Sequence, residues 1–193
     1  MNPPAIQLNQ AALVLIDLQK GIVGLPLAPH SGADVVKNAA RLAERFRAAK
    51  ALVVLVQVDF SADGGDLLKA KADLTHPRPP MTADWAEFVP EIGPKPGDIL
   101  IKKRQWGAFY GTELDLQLRR RGIRQIVLCG ISTNIGVEST ARAAHEHNYD
   151  QVFVADAMSS RSAEMHDFAV TKILPFIGLV RSTEEVLAGC GAS

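Results

Sequence analysis

Short apolar runs closed by turn residues alternate with helical patterns along nearly the whole chain, and this rhythm is the strongest limit on its fold. Residues 12–16, 52–58, 98–101, 125–129, 151–155 and 177–180 are rich in Val, Ile and Leu and read as buried strands. Between them, residues 35–49 place Val36, Ala39, Ala40, Ala43 and Phe46 near one helical face, with Arg41, Glu44, Arg45 and Arg47 mostly elsewhere. Thr112 is placed to cap a helix over 113–121 that carries acids first, arginines last, and stops at Gly122. Residues 134–148 and 162–174 also look helical, and 182–187 form a last short helix. Repeated strand–helix–strand units predict an α/β fold, a parallel sheet covered by helices on both faces. The 193 residues suit one domain, 1–193. Within it, 59–97 is a long insertion or lid carrying Pro77, Pro79, Pro80, Pro90, Pro94 and Pro96. The tail, 189–193, is expected to fray.

Charge narrows the function. Lys and Arg number 21 against 21 Asp and Glu, so the basic excess that nucleic acid or an anionic membrane surface requires is missing. The apolar runs are too short to span a bilayer, and no signal peptide is read near the start. Two cysteines, Cys129 and Cys190, cannot build a disulfide framework and fit a reducing, cytoplasmic setting. The expected partners are a small-molecule substrate and sister subunits.

Ligands of an open parallel sheet bind beyond the carboxyl ends of its strands. There the sequence places Asp17 and Gln19, then Asp59, then Lys102, Lys103 and Arg104, then Ser132, Thr133 and Asn134, and finally Asp156. An isolated Asp59 or Asp156 is explained by the need to end a strand in something polar. Asp17 differs, because it directly follows what should be the most buried strand. A carboxylate there needs a cationic partner or a raised pKa. Lys103 is a candidate partner, either for acid–base chemistry or for a purely structural ion pair. In 129–140, Gly130 permits a tight turn, Ser132, Thr133 and Asn134 suit a helix N-cap, and free N–H groups favour an anion.

Three motifs then resemble the isochorismatase-like hydrolases, also called cysteine hydrolases. They are Ala12-Leu-Val-Leu-Ile-Asp17-Leu-Gln19, Ile101-Lys-Lys103-Arg-Gln-Trp-Gly-Ala-Phe-Tyr-Gly-Thr112 and Val127-Leu-Cys-Gly-Ile-Ser-Thr-Asn-Ile-Gly136-Val-Glu-Ser-Thr-Ala141. The resemblance implies a six-stranded parallel sheet in a three-layer sandwich, with Asp17 and Lys103 as the catalytic pair. Strand alternation sends Lys102 to the opposite face. A non-proline cis peptide is implied at Ile131–Ser132. Amidases of the family carry a nucleophilic cysteine in the third motif, and here that position is Gly136, which has no side chain to attack a carbonyl. Cys129 reads as a small buried hydrophobe within a strand, and Cys190 as part of a Gly-rich tail. Family nicotinamidases hold a metal through Asp-x-His. This chain has Asp59-Phe-Ser61, with the next histidine at His76, so neither metal nor cofactor is expected. Isochorismatases that cleave a vinyl ether resemble the chain at glycine while keeping Asp and Lys, but tend to have Tyr-Ala-His where this chain has Ser132-Thr133-Asn134.

The expected activity is hydrolysis of a small polar or anionic metabolite. Asp17 would serve as general acid and base for water attack, Lys103 would orient it, and no covalent cysteine intermediate would form. Gln19, Trp106, Phe109, Ser132, Thr133, Asn134 and Gly136 are the substrate-binding candidates; Trp106, Phe109 and Tyr110 line either the pocket or an oligomer interface. The alternatives are a catalytically degenerate binding or structural protein, and an amidase using Ser132 or bound water. Arg119, Arg120 and Arg121 read as a solvated helix end. His145 and His147 read as surface, and His166 shows no partner. Family members are usually oligomers, which implies a homo-oligomer, dimer or tetramer.

Overall fold

The computed structural model describes residues 4–74 and 81–191. β1 (Ala11–Ile16) is apolar and buried at all six positions, as a strand covered on both faces must be. It pairs in parallel with β2 (Leu52–Val58) on one side and β4 (Gln125–Ile131) on the other. β3 (Ile99–Lys103) extends the sheet beyond β2, while β5 (Asp150–Ser159) and β6 (Leu179–Arg181) extend it beyond β4. The order is β3-β2-β1-β4-β5-β6 with every pair parallel. The chain therefore winds outward from β1 and then restarts on its other side at β4. Such a reversal opens a crevice between the carboxyl ends of the two strands where it occurs.

After the short α1 (Lys20–Val23), α2 (Gly32–Ala48) starts where Ser31 accepts from the Asp34 N–H and buries Val35, Val36, Ala39, Leu42, Ala43 and Phe46. Its partner on the same face is α6 (Thr183–Gly189), opened by a reciprocal Ser182–Glu185 capping box. Right-handed crossovers put α3 (Leu114–Arg120), α4 (Glu138–Glu146) and α5 (Ala163–Phe168) on the other face. The result is the three-layer arrangement with helices on both faces. No helix among the described residues is long and apolar enough to cross a membrane.

Element boundaries depart from the sequence pattern where polar groups find tertiary partners. β3 continues through Lys103 and β4 through Ile131. β5 runs past Asp156 to Ser159 because Asp156 Oδ1 accepts from the Thr183 N–H and hydroxyl instead of ending the strand. The helix expected over 162–174 divides into α5, a π-helical turn Ala169–Ile173 and a 3-10 turn Leu174–Phe176 containing Pro175, which lacks an N–H. Cys190 is buried and Arg45 donates to its carbonyl, so fraying does not extend inward that far; Ala192 and Ser193 lie outside the described residues. His76, Pro77, Pro79 and Pro80 also lie outside them. The described parts of 59–97 form no helix or named strand, and are held to α1 by Lys20 ion pairs with Asp84 and Glu87.

Gly130 is not a turn residue. It lies within β4 at φ +122, and a Cβ there would come 2.2 Å from the Ile16 carbonyl oxygen of β1. The absent side chain lets the two central strands meet where β4 changes register against β5. Gly130→Ala combines backbone strain with a steric clash and is expected to cost about 3 kcal/mol or more, read by urea unfolding.

Candidate active site

Asp17 is the first residue beyond β1 and Lys103 the last of β3, with β2 between them. Lys103 lays its buried stem across the end of β2, and its Nζ donates to Asp17 Oδ2 at 2.7 Å and to the Gln105 carbonyl at 3.2 Å. Both side chains are almost fully buried, at 1% and 7% exposure. Lys102 points the other way, as alternation requires, and pairs with Asp59 at 2.6 Å. Asp17 adopts φ +53, a left-handed conformation that costs a residue with a side chain about 1–3 kcal/mol. Its backbone N–H stays anchored to the Val56 carbonyl at 2.9 Å. Burial pushes the Asp17 carboxyl up to about 6, and the neighbouring Lys103 ammonium only partly opposes this. Among the described residues, Asp17 Oδ1 is buried without a hydrogen-bond partner.

Gln19 has a different job from the expected one. Its Oε1 accepts from the Val58 N–H at 2.8 Å, and its Nε2 donates to the carbonyls of Val58 and Ala86 at 2.9 and 3.2 Å. The amide is spent on clasping the end of β2 to the segment around Phe88, leaving no N–H for a substrate. Phe109 is also misplaced by the sequence reading. It is buried and stacks on His147 and Tyr149, with ring centroids 5.1 and 5.9 Å away, so it belongs to the packing of α3 against the end of α4. The Trp106 side chain is exposed, while its backbone carbonyl faces Gly136. Tyr110 is exposed as well.

The turn after β4 carries the remaining candidates. The Ile131–Ser132 peptide is cis, at the position the resemblance implies. The Ser132 carbonyl accepts from the N–H groups of both Ile135 and Val137 at 3.1 Å, making a π-helical turn over Thr133–Val137 before α4. Those two amides are thus unavailable to an anion, and no side chain caps the turn. Thr133 bonds instead to His166, Oγ1 to Nδ1, at 2.9 Å, and Asn134 Oδ1 accepts from the Ser160 hydroxyl. His166 is buried from α5; burial and the nearby His30 hold it below its ordinary pKa, so it is neutral at pH 7. Its partner lies 33 residues away in sequence, beyond the reach of pattern.

Gly136 is buried in this turn. A Cβ built on it would lie 3.3 Å from Asp17 Oδ2, 3.5 Å from the Trp106 carbonyl oxygen and 3.0 Å from Ile16 Cγ2. Thr140, which the sequence reading passed over, donates to the Gly136 carbonyl at 2.7 Å and accepts from the Ala108 N–H at 3.1 Å. Asp17, Lys103, Gly136 and the Trp106 backbone thus converge at the switch between β1 and β4. Cys129 does not reach them: it is wholly buried in β4, where burial pushes its thiol far above the usual range. Cavities of about 440 and 420 Å³ lie elsewhere, the first between Gln125, Gln151 and Leu179, the second between Gln57, Phe88 and Leu100. Asp59 is committed to Lys102, and no group of three potential metal ligands occurs among the described residues.

The family model for the isochorismatase domain matches residues 11–185. The chain is 53% identical over 189 residues to the isochorismatase family protein YwoC of Bacillus subtilis (strain 168), covering 97% of each chain. It is 30% identical over 207 residues to the ureidoacrylate amidohydrolase RutB of Variovorax paradoxus (strain S110), covering 95% of this chain and 82% of that one. The solved structure of an isochorismatase family protein from Burkholderia thailandensis superposes with a TM-score of 0.94 at 48% identity, over 99% of this chain and 100% of that one. The chain belongs to the isochorismatase family of hydrolases.

Proposed function

We propose that the protein hydrolyses a small polar or anionic metabolite by acid–base catalysis at Asp17, with water as the attacking group and no covalent enzyme intermediate. The observation that carries this reading is the approach of the Gly136 Cβ direction to Asp17 Oδ2. The Asp–Lys pair faces a position that offers no side-chain nucleophile. Asp17 itself has the features of a proton donor: it is desolvated, titrates near pH 6, and has one oxygen unpartnered. Lys103 fixes the other oxygen and so orients the carboxyl.

An enol ether is the substrate type that suits this set best. Asp17 protonates the terminal carbon of the double bond, an oxocarbenium ion forms, and water adds to it. The resulting hemiketal separates into a ketone and an alcohol. The ureidoacrylate amidohydrolase relative favours a second substrate type, an amide. There Asp17, ionised, would take the proton from a water attacking the carbonyl directly.

The two types predict opposite pH limbs. Protonated Asp17 is lost as pH rises through about 6, so enol-ether cleavage is expected to fall about tenfold per unit above that point. Amide hydrolysis, needing the carboxylate, would instead rise up to about pH 6 and then level off. Asp17→Asn is expected to abolish turnover while the circular dichroism of the fold is retained; undiminished turnover by that variant would sink the role. Lys103 lowers the Asp17 pKa, so Lys103→Met is expected to move the titration above about 6, read by carbon-13 NMR of the carboxyl. A screen of isochorismate, other enol ethers and small amides in which nothing reacts, and nothing raises the melting temperature, would overturn the hydrolytic reading.

A further inference from the structure

Of the three heavy atoms nearest the Gly136 side-chain direction, the two polar ones are both acceptors. Asp17 Oδ2 lies 3.3 Å from the Cβ point and the Trp106 carbonyl oxygen 3.5 Å from it, with the Ile16 Cγ2 methyl closing a third side at 3.0 Å. A group in contact with Gly136 on this side can therefore donate to both oxygens at once. Water has two hydrogens and matches that demand. Asp17 Oδ2 already accepts from Lys103, and a carboxylate oxygen has capacity for a second donor.

We infer that the space over Gly136 is the binding site of the hydrolytic water, which donates its two hydrogens to Asp17 Oδ2 and to the Trp106 carbonyl. This rests on the reading of the protein as an Asp17-dependent hydrolase. With both hydrogens engaged, the water's lone pairs face away from the two acceptors and toward a substrate. The proton balance closes on one carboxyl group. Oδ1 gives its proton to the enol-ether carbon, a water lone pair forms the new C–O bond to the cationic carbon, and the water's proton passes to Oδ2. Asp17 ends protonated on Oδ2, and exchange of that proton to Oδ1 through solvent restores the acid that began the cycle. The missing side chain is thus a positive part of the site: where an amidase of the family would place a thiol, this chain places its nucleophile as water.

Thr140 is the positioning residue for this water. Its hydroxyl is buried, donates to the Gly136 carbonyl and accepts from the Ala108 N–H, so it spaces the loop carrying the Trp106 carbonyl from the turn carrying Gly136. No other hydrogen bond joins that loop to Gly136 among the described residues.

The test is a crystal structure of the full chain at a resolution that orders water, solved for the wild type, Gly136→Ala, Thr140→Val and Thr140→Ser. The wild type is expected to show one water within hydrogen-bond distance of both Asp17 Oδ2 and the Trp106 oxygen. Gly136→Ala is expected to lose it, because the methyl fills the site while the Ile16 methyl yields a few tenths of an ångström. Thr140→Val is expected to displace it and Thr140→Ser to keep it. A site that is empty, or filled by a protein side chain, in the wild type overturns the inference whatever the substrate. On the substrate that the screen identifies, Gly136→Ala is expected to lower kcat about 100-fold with little change in KM. Full turnover by Gly136→Ala beside an inactive Asp17→Asn would overturn the water site alone. Turnover by Asp17→Asn would overturn the hydrolytic reading instead.

Discussion

The buried Asp17–Lys103 ion pair sets the conditions that the rest of the site meets. Two opposite charges withdrawn from water lose several kcal/mol of hydration each, and only a short, well-directed contact offsets that loss. The contact here spans a strand: Val58 lies in register with Lys103, so the lysine must pass the end of β2 to reach Asp17. That path stays open only if β2 stops where it does. Gln19 enforces the stop by bonding both the N–H and the carbonyl of Val58 through its own amide. The central strand, its neighbour and the edge strand are thereby locked into one arrangement by two polar side chains from a single motif.

Stability does not explain the pair. Replacing buried charges with well-packed apolar groups is often neutral or stabilising. Asp17 adds a left-handed backbone and an unpartnered buried oxygen, each a cost of about 1–3 kcal/mol. The carboxyl keeps its proton to about pH 6 because burial outweighs the lysine. A fold selected for stability alone has no use for this combination, whereas a proton donor working near neutrality needs all of it.

How far these features were legible in the sequence depends on the range of the interaction. The apolar run ending at Asp17 announces a central strand followed by an unusual carboxylate, and the alternation of β3 separates Lys103 from Lys102. These signals are local, and the structure places the residues accordingly. Gln19 and Phe109 sit in the same motifs, but their partners, Val58 and Ala86 for one and His147 and Tyr149 for the other, are set by tertiary packing that no spacing encodes. The π-helical turn at Thr133–Val137 was hidden for a different reason. Over five residues its periodicity barely differs from that of an α-helix, and only the double acceptance by the Ser132 carbonyl distinguishes it.

That turn also bears on whether the water site that we infer over Gly136 is built or incidental. An incidental gap would have no need to hold the surrounding acceptors in register. Here Thr140, fully buried, satisfies both sides of its hydroxyl while joining the Gly136 turn to the loop that carries the Trp106 carbonyl. His166 and Ser160 tie the same turn from α5 and from the end of β5. The turn is thus braced from three directions around a residue with no side chain. Bracing of this kind has a physical purpose if the space over Gly136 must present two oxygens at fixed separation to a small donor. Such bracing supports the water site that we infer, in which orientation is supplied before the reaction and not during it.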